Sequence, residues 1–361
     1  MIRILFDART FENTYSGIAN TTLQLYIALH DYYGDDISFT GMYREKLYQE
    51  LPSFIKTTKA FFPIKKYSAC NIRHAMRVSK SDYIHFPLNG EMPFGIIPGK
   101  RISTIHDVLP LEIPGYFRSK EDEMSYRRKM QGSINRTNLI FTPSQYSKNR
   151  IMEEFKVNVP VVVQPWGRMQ IQKKDNERTN LTLQKKPYFL YVGGYDERKG
   201  IADLLKALML FKKKVNKNYY IVFVGKKRKL SDETEFLLAR CKNENLIEEL
   251  GYVTEQELSG LYQGAIGLCF LSKYEGFGLT PLEAMAHGCP VITTRYTSLP
   301  EVCGDAALYV EPDNPDEVIE AMEQICDAEI REKYIKKGFK QASSFSWKRS
   351  ADIFLSNITE L

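Results

Sequence analysis

Short, nearly unbroken apolar runs alternate along this chain with longer stretches whose apolar residues recur at helical spacing. In the first half the runs are IRILFDA (2–8), ISFTGMY (37–43), SDYIHFP (81–87), ISTIHDV (102–108), NLIFTPS (138–144) and VPVVVQP (159–165). In the second they are PYFLYVGG (187–194), YYIVFVGK (219–226), AIGLCFLS (265–272), CPVITT (289–294) and AALYVEP (306–312). Strands without polar alternation are buried on both faces, the condition of parallel sheets covered by helices. Residues 164–188 read QPWGRMQIQKKDNERTNLTLQKKPY, turn residues followed by a polar stretch with no period. This places a boundary near residues 168 to 184 and predicts two doubly wound α/β domains in series, 1–170 and 183–345. Ligands of such sheets gather at the carboxyl ends of the strands, so a cleft between the domains is the expected site.

Composition narrows the class. At 361 residues the chain is long enough for two cores. Its longest apolar runs are too short to span a bilayer, and MIRILFDART reads as a first strand rather than a signal peptide. Six cysteines are scattered with no C-x-x-C pair, which favours reduced thiols in a cytosolic protein. The sequons at Asn20, Asn180 and Asn357 are then chance matches. Trp166 and Trp347 read as core or interdomain packing. A net charge of +6 indicates affinity for anions without naming them. All of that charge is local, and the rest of the chain is near neutral. Between residues 44 and 80 stand Arg44, Lys46, Lys56, Lys59, Lys65, Lys66, Arg73, Arg77 and Lys80, against only Glu45 and Glu50. Phe54, Phe61, Phe62 and Tyr67 are interleaved with them. Two readings stay open: contact with an anionic membrane surface, or a solvated face with its aromatics in the core.

Candidate chemistry concentrates in YEGFGLTPLEAMAHGCPVI, residues 274–292. TPLE reads as a helix start, with Thr280 as N-cap, Pro281 at the first helical position and Glu283 in a capping box. Gly288 and Pro290 stop the helix, which is expected over roughly 281 to 287. Its N-terminus, preceded by EGFGL, offers N–H groups and a positive dipole end to an anion. Gly276 and Gly278 allow close approach to the backbone. A plain capped turn gains nothing from the second carboxylate, Glu275. Upstream, YVGGYDERKG (191–200) is a strand, a Gly-Gly turn and a charged cluster before a helix. Arg198 and Lys199 stand at that helix start, where cations oppose the dipole; they either face a bound polyanion or are solvated turn charges. His106, in TIHDV, lies at a strand end beside Asp107 and is either structural or part of the site.

EGFGLTPLEAMAHGCPVI resembles the signature of glycosyltransferase family 4, two glutamates with seven residues between them followed by A-M-A-x-G-x-P-V-I. The resemblance extends over the chain, through SGIANTTLQL, TIHDVLPLEIPGYF, TPSQYSKNRIMEEF, YVGGYDERKG, GYVTEQELSGLYQGA, EVCGDAALYVEPDNPDEV and FSWKRSADIFLSNITEL. It implies the GT-B fold: two Rossmann-like domains facing a central cleft, with a C-terminal helix, about 346–361, crossing back to the first. It also implies site roles. Arg198 and Lys199 would bind the donor diphosphate. Glu275 would sit at the donor sugar, near the backbone N–H groups of Phe277, Gly278 and Leu279, with Thr280 in the same donor loop. Glu283 would bind the ribose hydroxyls, a role that competes with capping. Gly17 would lie over the phosphates, His106 would face the transferred sugar, and Gly225, Tyr252 and Val253 would border the base. Asn20 stands where many relatives have arginine, so acceptor contacts do not carry over.

The implied activity is retaining transfer of a hexose from a nucleotide sugar. The chain shows no D-x-D pair at a strand end and no metal-ligand spacing, so no metal or other cofactor is expected. Arg198, Lys199 and the helix amides would then stabilise the leaving diphosphate, and no protein base is assigned. TIHDVLPLEIP resembles the mannosyltransferase branch and favours GDP-mannose; a UDP-hexose donor is the alternative, and a non-catalytic nucleotide-sugar-binding protein is a third reading. A dehydrogenase is excluded by the lack of G-x-G-x-x-G after a strand. The implied acceptor is a growing surface glycan on a lipid carrier, met at the inner face of the plasma membrane.

Overall fold

The computed structural model describes residues 1–12, 17–60, 68–168, 183, 186–215 and 219–361. The chain divides into two compact units, Met1–Gly167 with Ser346–Leu361, and Arg168–Phe345. Each is built on one parallel sheet.

In the first unit the strands are β1 (Ile2–Asp7), β2 (Ile37–Tyr43), β3 (Ile55–Lys59), β4 (Tyr83–Phe86), β5 (Lys100–Thr104), β6 (Leu139–Thr142) and β7 (Val161–Val163), in the order β3-β2-β1-β4-β5-β6-β7. Alternate residues of a strand enter different cores. Ile4 and Phe6 pack with the helices Gly17–Tyr33 and Trp347–Thr359 on one face, while Leu5 packs with Ile72 and Met76 of the helix Ala69–Ser79 on the other. Both faces of β1, β4 and β6 are therefore dry, which is why their sequences lack polar alternation. The C-terminal helix belongs to this unit through Trp347, Ala351, Phe354 and Ile358, as the family resemblance implies.

In the second unit β8 (Tyr188–Val192), β9 (Tyr220–Val224), β10 (Ile247–Gly251), β11 (Leu268–Phe270), β12 (Val291–Thr293) and β13 (Ala307–Tyr309) run in the order β10-β9-β8-β11-β12-β13. All strand pairs of both sheets are parallel. Both orders are doubly wound, and the winding reverses between β1 and β4 in one sheet and between β8 and β11 in the other. At such a reversal the loops leaving the two strands part, opening a crevice at their carboxyl ends. The loops after β8 and β11 carry Arg198, Lys199 and Glu275.

Two strands were not expected from the sequence, β3 (IKTTK) and β10 (IEELG). Both are sheet edges, and each buries only its first isoleucine. Such strands lack the apolar run that marks a central strand.

Candidate active site

The loop after β8 folds into a single 3₁₀ turn, Glu197–Lys199, followed by the helix Ile201–Lys214. The Asp196 carboxylate caps the turn by accepting from the Arg198 N–H at 3.2 Å. Arg198 and Lys199 thus stand one turn ahead of the helix, and their side chains converge on the loop after β11. Nη1 of Arg198 donates to the carbonyl of Tyr274 at 2.7 Å and lies 3.3 Å from Oε1 of Glu275. Nζ of Lys199 pairs with the same Oε1 and sits 4.7 Å from the centre of the Phe270 ring. The Ser272 hydroxyl donates to it as well, at 2.7 Å.

Electrostatics follow from this crowding. Burial alone would raise the Glu275 carboxyl, but the charges of Lys199 and Arg198 outweigh it and hold the group below its usual range. Burial also lowers Lys199, with Glu275 opposing the drop. At neutral pH the cluster is an ionised carboxylate under two cations at the crevice of the second sheet, with the Asp196 carboxylate 3.7 Å from Arg198. Such a centre can accept part of the charge of a diphosphate without losing its internal pairing.

The Glu275 loop is fixed by residues that the sequence reading did not single out. The Glu275 N–H donates to Thr297 Oγ1 at 3.0 Å, and the Ser298 hydroxyl reaches the carbonyls of Glu275 and Phe277 at 2.8 and 2.6 Å. Ser272, Thr297 and Ser298 come from the ends of β11 and β12, neighbouring strands. Nothing local to either segment announces that contact.

The following helix spans Leu279–Ala286. The expectation that Thr280 caps it and that Glu283 completes a capping box is corrected. Gly278 is the N-cap, with φ of 125° and ψ of 45°, and no side chain caps the helix. A conformation that only glycine adopts easily turns the chain two residues earlier than expected. The first turn of amides is left without a side-chain acceptor beside Glu275, which strengthens the case for an anion there. The far end behaves as expected, with Gly288 at φ of 74° after the last turn.

Glu283 has a different environment. The Tyr262 hydroxyl donates to its Oε2 at 3.4 Å, and among the described residues no cation pairs with it. Burial pushes its carboxyl up to about 7, against the small opposing effect of Tyr262. The two glutamates of the motif are thus separated by environment: one ionised under cations, the other poised near neutrality.

Gly225 closes β9, with its N–H donating to the Gly251 carbonyl at 2.7 Å. It has φ of +130°, and a Cβ there would lie 2.2 Å from the Gly193 carbonyl oxygen, in the turn that leads to Arg198. Gly225→Ala should therefore cost about 2–5 kcal/mol, combining a strained φ with a backbone clash. Urea denaturation reads this; a midpoint equal to that of the parent chain would refute it. Tyr252, exposed, and Val253 follow β10 at the same carboxyl edge.

In the first unit, Gly17 opens the helix Gly17–Tyr33, and among the described residues nothing lies within 4 Å of where its Cβ would be. His106 follows β5 and is buried, 5% exposed. Its Nε2 lies 2.7 Å from the Pro87 carbonyl, its backbone N–H donates to Asn89 at 2.7 Å, and its ring is 5.3 Å from that of Trp166. Burial lowers it to about 4, so the imidazole is neutral. A carbonyl only accepts, so the ring proton is on Nε2. Among the described residues no group of three or more His, Cys, Asp or Glu is placed to hold a metal, and no helix is long and apolar enough to cross a membrane.

The comparisons agree with this architecture. Residues 172–341 match the family described as glycosyl transferases group 1. The chain is 32% identical over 276 residues to the O-antigen chain mannosyltransferase B of Escherichia coli, covering 74% of this chain and 71% of that protein. It is 29% identical over 232 residues to the O-antigen chain mannosyltransferase RfbU of Salmonella typhimurium, covering 62% and 61%. Among solved structures it superposes on sucrose-phosphate synthase from Thermosynechococcus elongatus with a TM-score of 0.76, 17% identity and coverage of 100% and 99%. WaaG, a glycosyltransferase involved in lipopolysaccharide biosynthesis, gives 0.69, 15%, 97% and 99%. At these identities the structural likeness is one of fold, the GT-B pair of Rossmann-like units. The fold, Glu275 under Lys199 and Arg198 with Glu283 eight positions on, and the first of these relatives lead to one conclusion: the chain belongs to the group 1 glycosyl transferases.

Proposed function

We propose that this enzyme transfers mannose from GDP-mannose, with retention and without a metal, to a growing bacterial surface glycan on a lipid carrier. The observation that carries the reading is the Glu275 carboxylate held ionised by Lys199 and Arg198 beside an uncapped helix start. The mannosyltransferase names of the two relatives support the choice of sugar. In this reading Lys199, Arg198 and the amides of the Phe277–Thr280 segment receive the leaving diphosphate. Glu275 orients the sugar and favours positive charge at its anomeric carbon. The acceptor hydroxyl attacks from the face that the diphosphate leaves, and its proton passes to the departing phosphate. His106 is neutral, with Nε2 committed to the Pro87 carbonyl and Nδ1 buried, so in this scheme it shapes the sugar site by its position and not through a hydrogen bond from its ring.

The test is turnover with GDP-mannose and with UDP-, ADP- and dTDP-hexoses, following product anomer by NMR, in the presence and absence of EDTA. GDP-mannose should be the best donor, the product should keep the donor's α configuration, and EDTA should change nothing. A preferred UDP-hexose, an inverted product, or activity lost in EDTA and restored by Mg²⁺ or Mn²⁺ would each overturn the corresponding part. GDP at 100 times its Kd should raise stability by about 2.7 kcal/mol.

The acceptor's lipid carrier motivates a second expectation. Lys56, Lys59, Arg73, Arg77 and Lys80 are exposed, on the edge strand β3 and the helix Ala69–Ser79. Phe54 is withdrawn from that surface, stacked on His30 with ring centres 4.0 Å apart. Phe61, Phe62, Lys65, Lys66 and Tyr67 lie outside the described residues. Reversible binding to anionic vesicles, weakened by salt, is expected at about 1 kcal/mol per well-placed cation. Cosedimentation of the Lys56, Lys59, Arg73 and Arg77→Ser variant checks it. Binding unchanged by the substitutions would remove this surface from the contact.

A further inference from the structure

The first unit contains a small cavity of about 10 Å³, the scale of a single water, lined by side chains that include Thr104, His106, Trp347 and Ser350. Three polar atoms of those residues are buried and have no hydrogen-bond partner: Nδ1 of His106, Nε1 of Trp347 and Oγ of Ser350. Buried polar groups are almost always paired, so three orphans around one cavity need an explanation. Their chemistry is complementary. The His106 proton is committed to the Pro87 carbonyl, so Nδ1 can only accept. The indole N–H of Trp347 can only donate, and the Ser350 hydroxyl can do both. One water can accept from the indole N–H, donate to Nδ1 and exchange a bond with Ser350.

A second set of contacts leads to the same cavity. The Tyr26 hydroxyl lies 2.7 Å from Nδ1 of His85, and Nε2 of His85 lies 2.8 Å from Oγ1 of Thr104. His85 is held neutral by burial. With the tyrosine donating to Nδ1, the His85 proton goes to Thr104, whose own hydroxyl proton is then free to be offered onward. A buried polar chain thus runs from helix Gly17–Tyr33 through β4 and β5 towards the cavity.

We infer that the cavity is a built site for one ordered water bridging Trp347 and Ser350 of the C-terminal helix to Nδ1 of His106. Trp347 is then a positioning residue. It acts through the water to hold the ring of His106 at the end of β5, whose tautomer the Pro87 carbonyl already sets, so the helix that returns to the first unit sets the geometry of a site residue as well as filling its core. The effect on transfer rests on the proposed role of His106 in sugar binding; the bridge itself does not.

NMR on the ¹⁵N-labelled full chain tests it. The chain has two tryptophans and five histidines, so Trp347→Phe assigns the indole N–H and His106→Gln the imidazole. The Trp347 indole proton should show cross-relaxation with a long-lived water, and His106 should carry its proton on Nε2 throughout pH 5–8. Trp347→Phe keeps an aromatic ring but removes the donor; Ser350→Ala removes a partner at almost constant volume. Either should shift the His106 Nδ1 resonance, while the Pro87 carbonyl keeps the proton on Nε2. Each should also lower kcat several-fold with GDP affinity unchanged. A Trp347 indole without a water contact, or a His106 protonated on Nδ1, overturns the bridge. An unchanged His106 signal in both variants overturns the positioning role. The NMR readouts need no turnover, so they stand apart from a failure of the proposed donor or acceptor.

Discussion

Lys199→Ala is expected to lower kcat by about 10²–10³-fold, the scale of losing one preorganised group that meets developing negative charge. Lys199 is nearly enclosed, with its ammonium between the Phe270 ring and Oε1 of Glu275. In the proposed transfer, removing it would withdraw one of two cations from the leaving diphosphate. It also leaves Glu275 with Arg198 and Ser272 alone, so burial weighs more heavily and the carboxyl rises towards its neutral form. Both effects act on the transition state more than on ground-state binding. Arg198→Ala should behave similarly and additionally leave the Tyr274 carbonyl without its guanidinium donor, though the Ser272 hydroxyl still reaches it at 3.1 Å. Glu275→Gln keeps the shape and removes the charge, so it should reduce transfer more than nucleotide affinity. Steady-state kinetics with calorimetric Kd values for GDP separate these terms, and near-UV circular dichroism checks the fold. Near-normal kcat in both cation variants would refute the anion-site assignment.

Glu283→Gln should stabilise the unliganded protein while weakening nucleotide binding. The folded carboxyl titrates at about 7 and the unfolded one near 4.5. Its folded pKa is therefore raised, and for an acid this means stability is highest below 4.5. Between 4.5 and 7 the unfolded state releases the proton while the folded state keeps it, so stability falls through that window and is level above it. The full difference corresponds to at most about 3 kcal/mol. Glutamine does not titrate, so the variant should gain most at pH 8 and nothing near pH 4.5. Binding should run the other way. A carboxylate that accepts from ribose hydroxyls is needed ionised, so wild-type affinity for GDP should rise with pH through about 7, and the glutamine variant should bind at least several-fold more weakly at pH 8. Opposite signs for stability and affinity are the mark of a group kept for function at the expense of the free protein. Urea denaturation across pH 5–8 and calorimetry at both ends read the two. A variant no more stable than the parent at pH 8 would refute the assignment of the raised carboxyl.

Central strands were legible because burial on both faces demands apolar runs, and all eleven segments quoted for the two halves contain a strand. Two of the four edge strands were not: β7 and β13 still carry apolar runs, VVV and ALY, but IKTTK and IEELG have none and pair with β2 and β9 through backbone groups that every residue carries. The charged and acidic positions of the site were legible as well, since Arg198, Lys199, Glu275 and Glu283 sit in segments whose composition suits neither a core nor a plain turn. Their division of labour was not. TPLE looks like a cap in sequence, yet Gly278 supplies the turn, and Glu283 is free to point at Tyr262 instead.

What the sequence determined by itself is what depends on neighbours along the chain: the alternation of dry strands and helices, the two parallel sheets, and the motif that places two glutamates eight positions apart at a helix mouth. What only the tertiary structure decided depends on neighbours across the sheet. Lys199 and Glu275 are 76 positions apart, and meet because β8 and β11 lie side by side where the winding reverses. Ser298 secures the Glu275 loop because β12 pairs with β11. Trp347 reaches the cavity beside His106 because the last helix returns to the first core. Charge and propensity are properties of residues, and the sequence carries them directly. Burial, and with it the ionisation of Glu275, Glu283 and His106, is a property of the assembled layers, and exists only once distant segments have excluded water from one another.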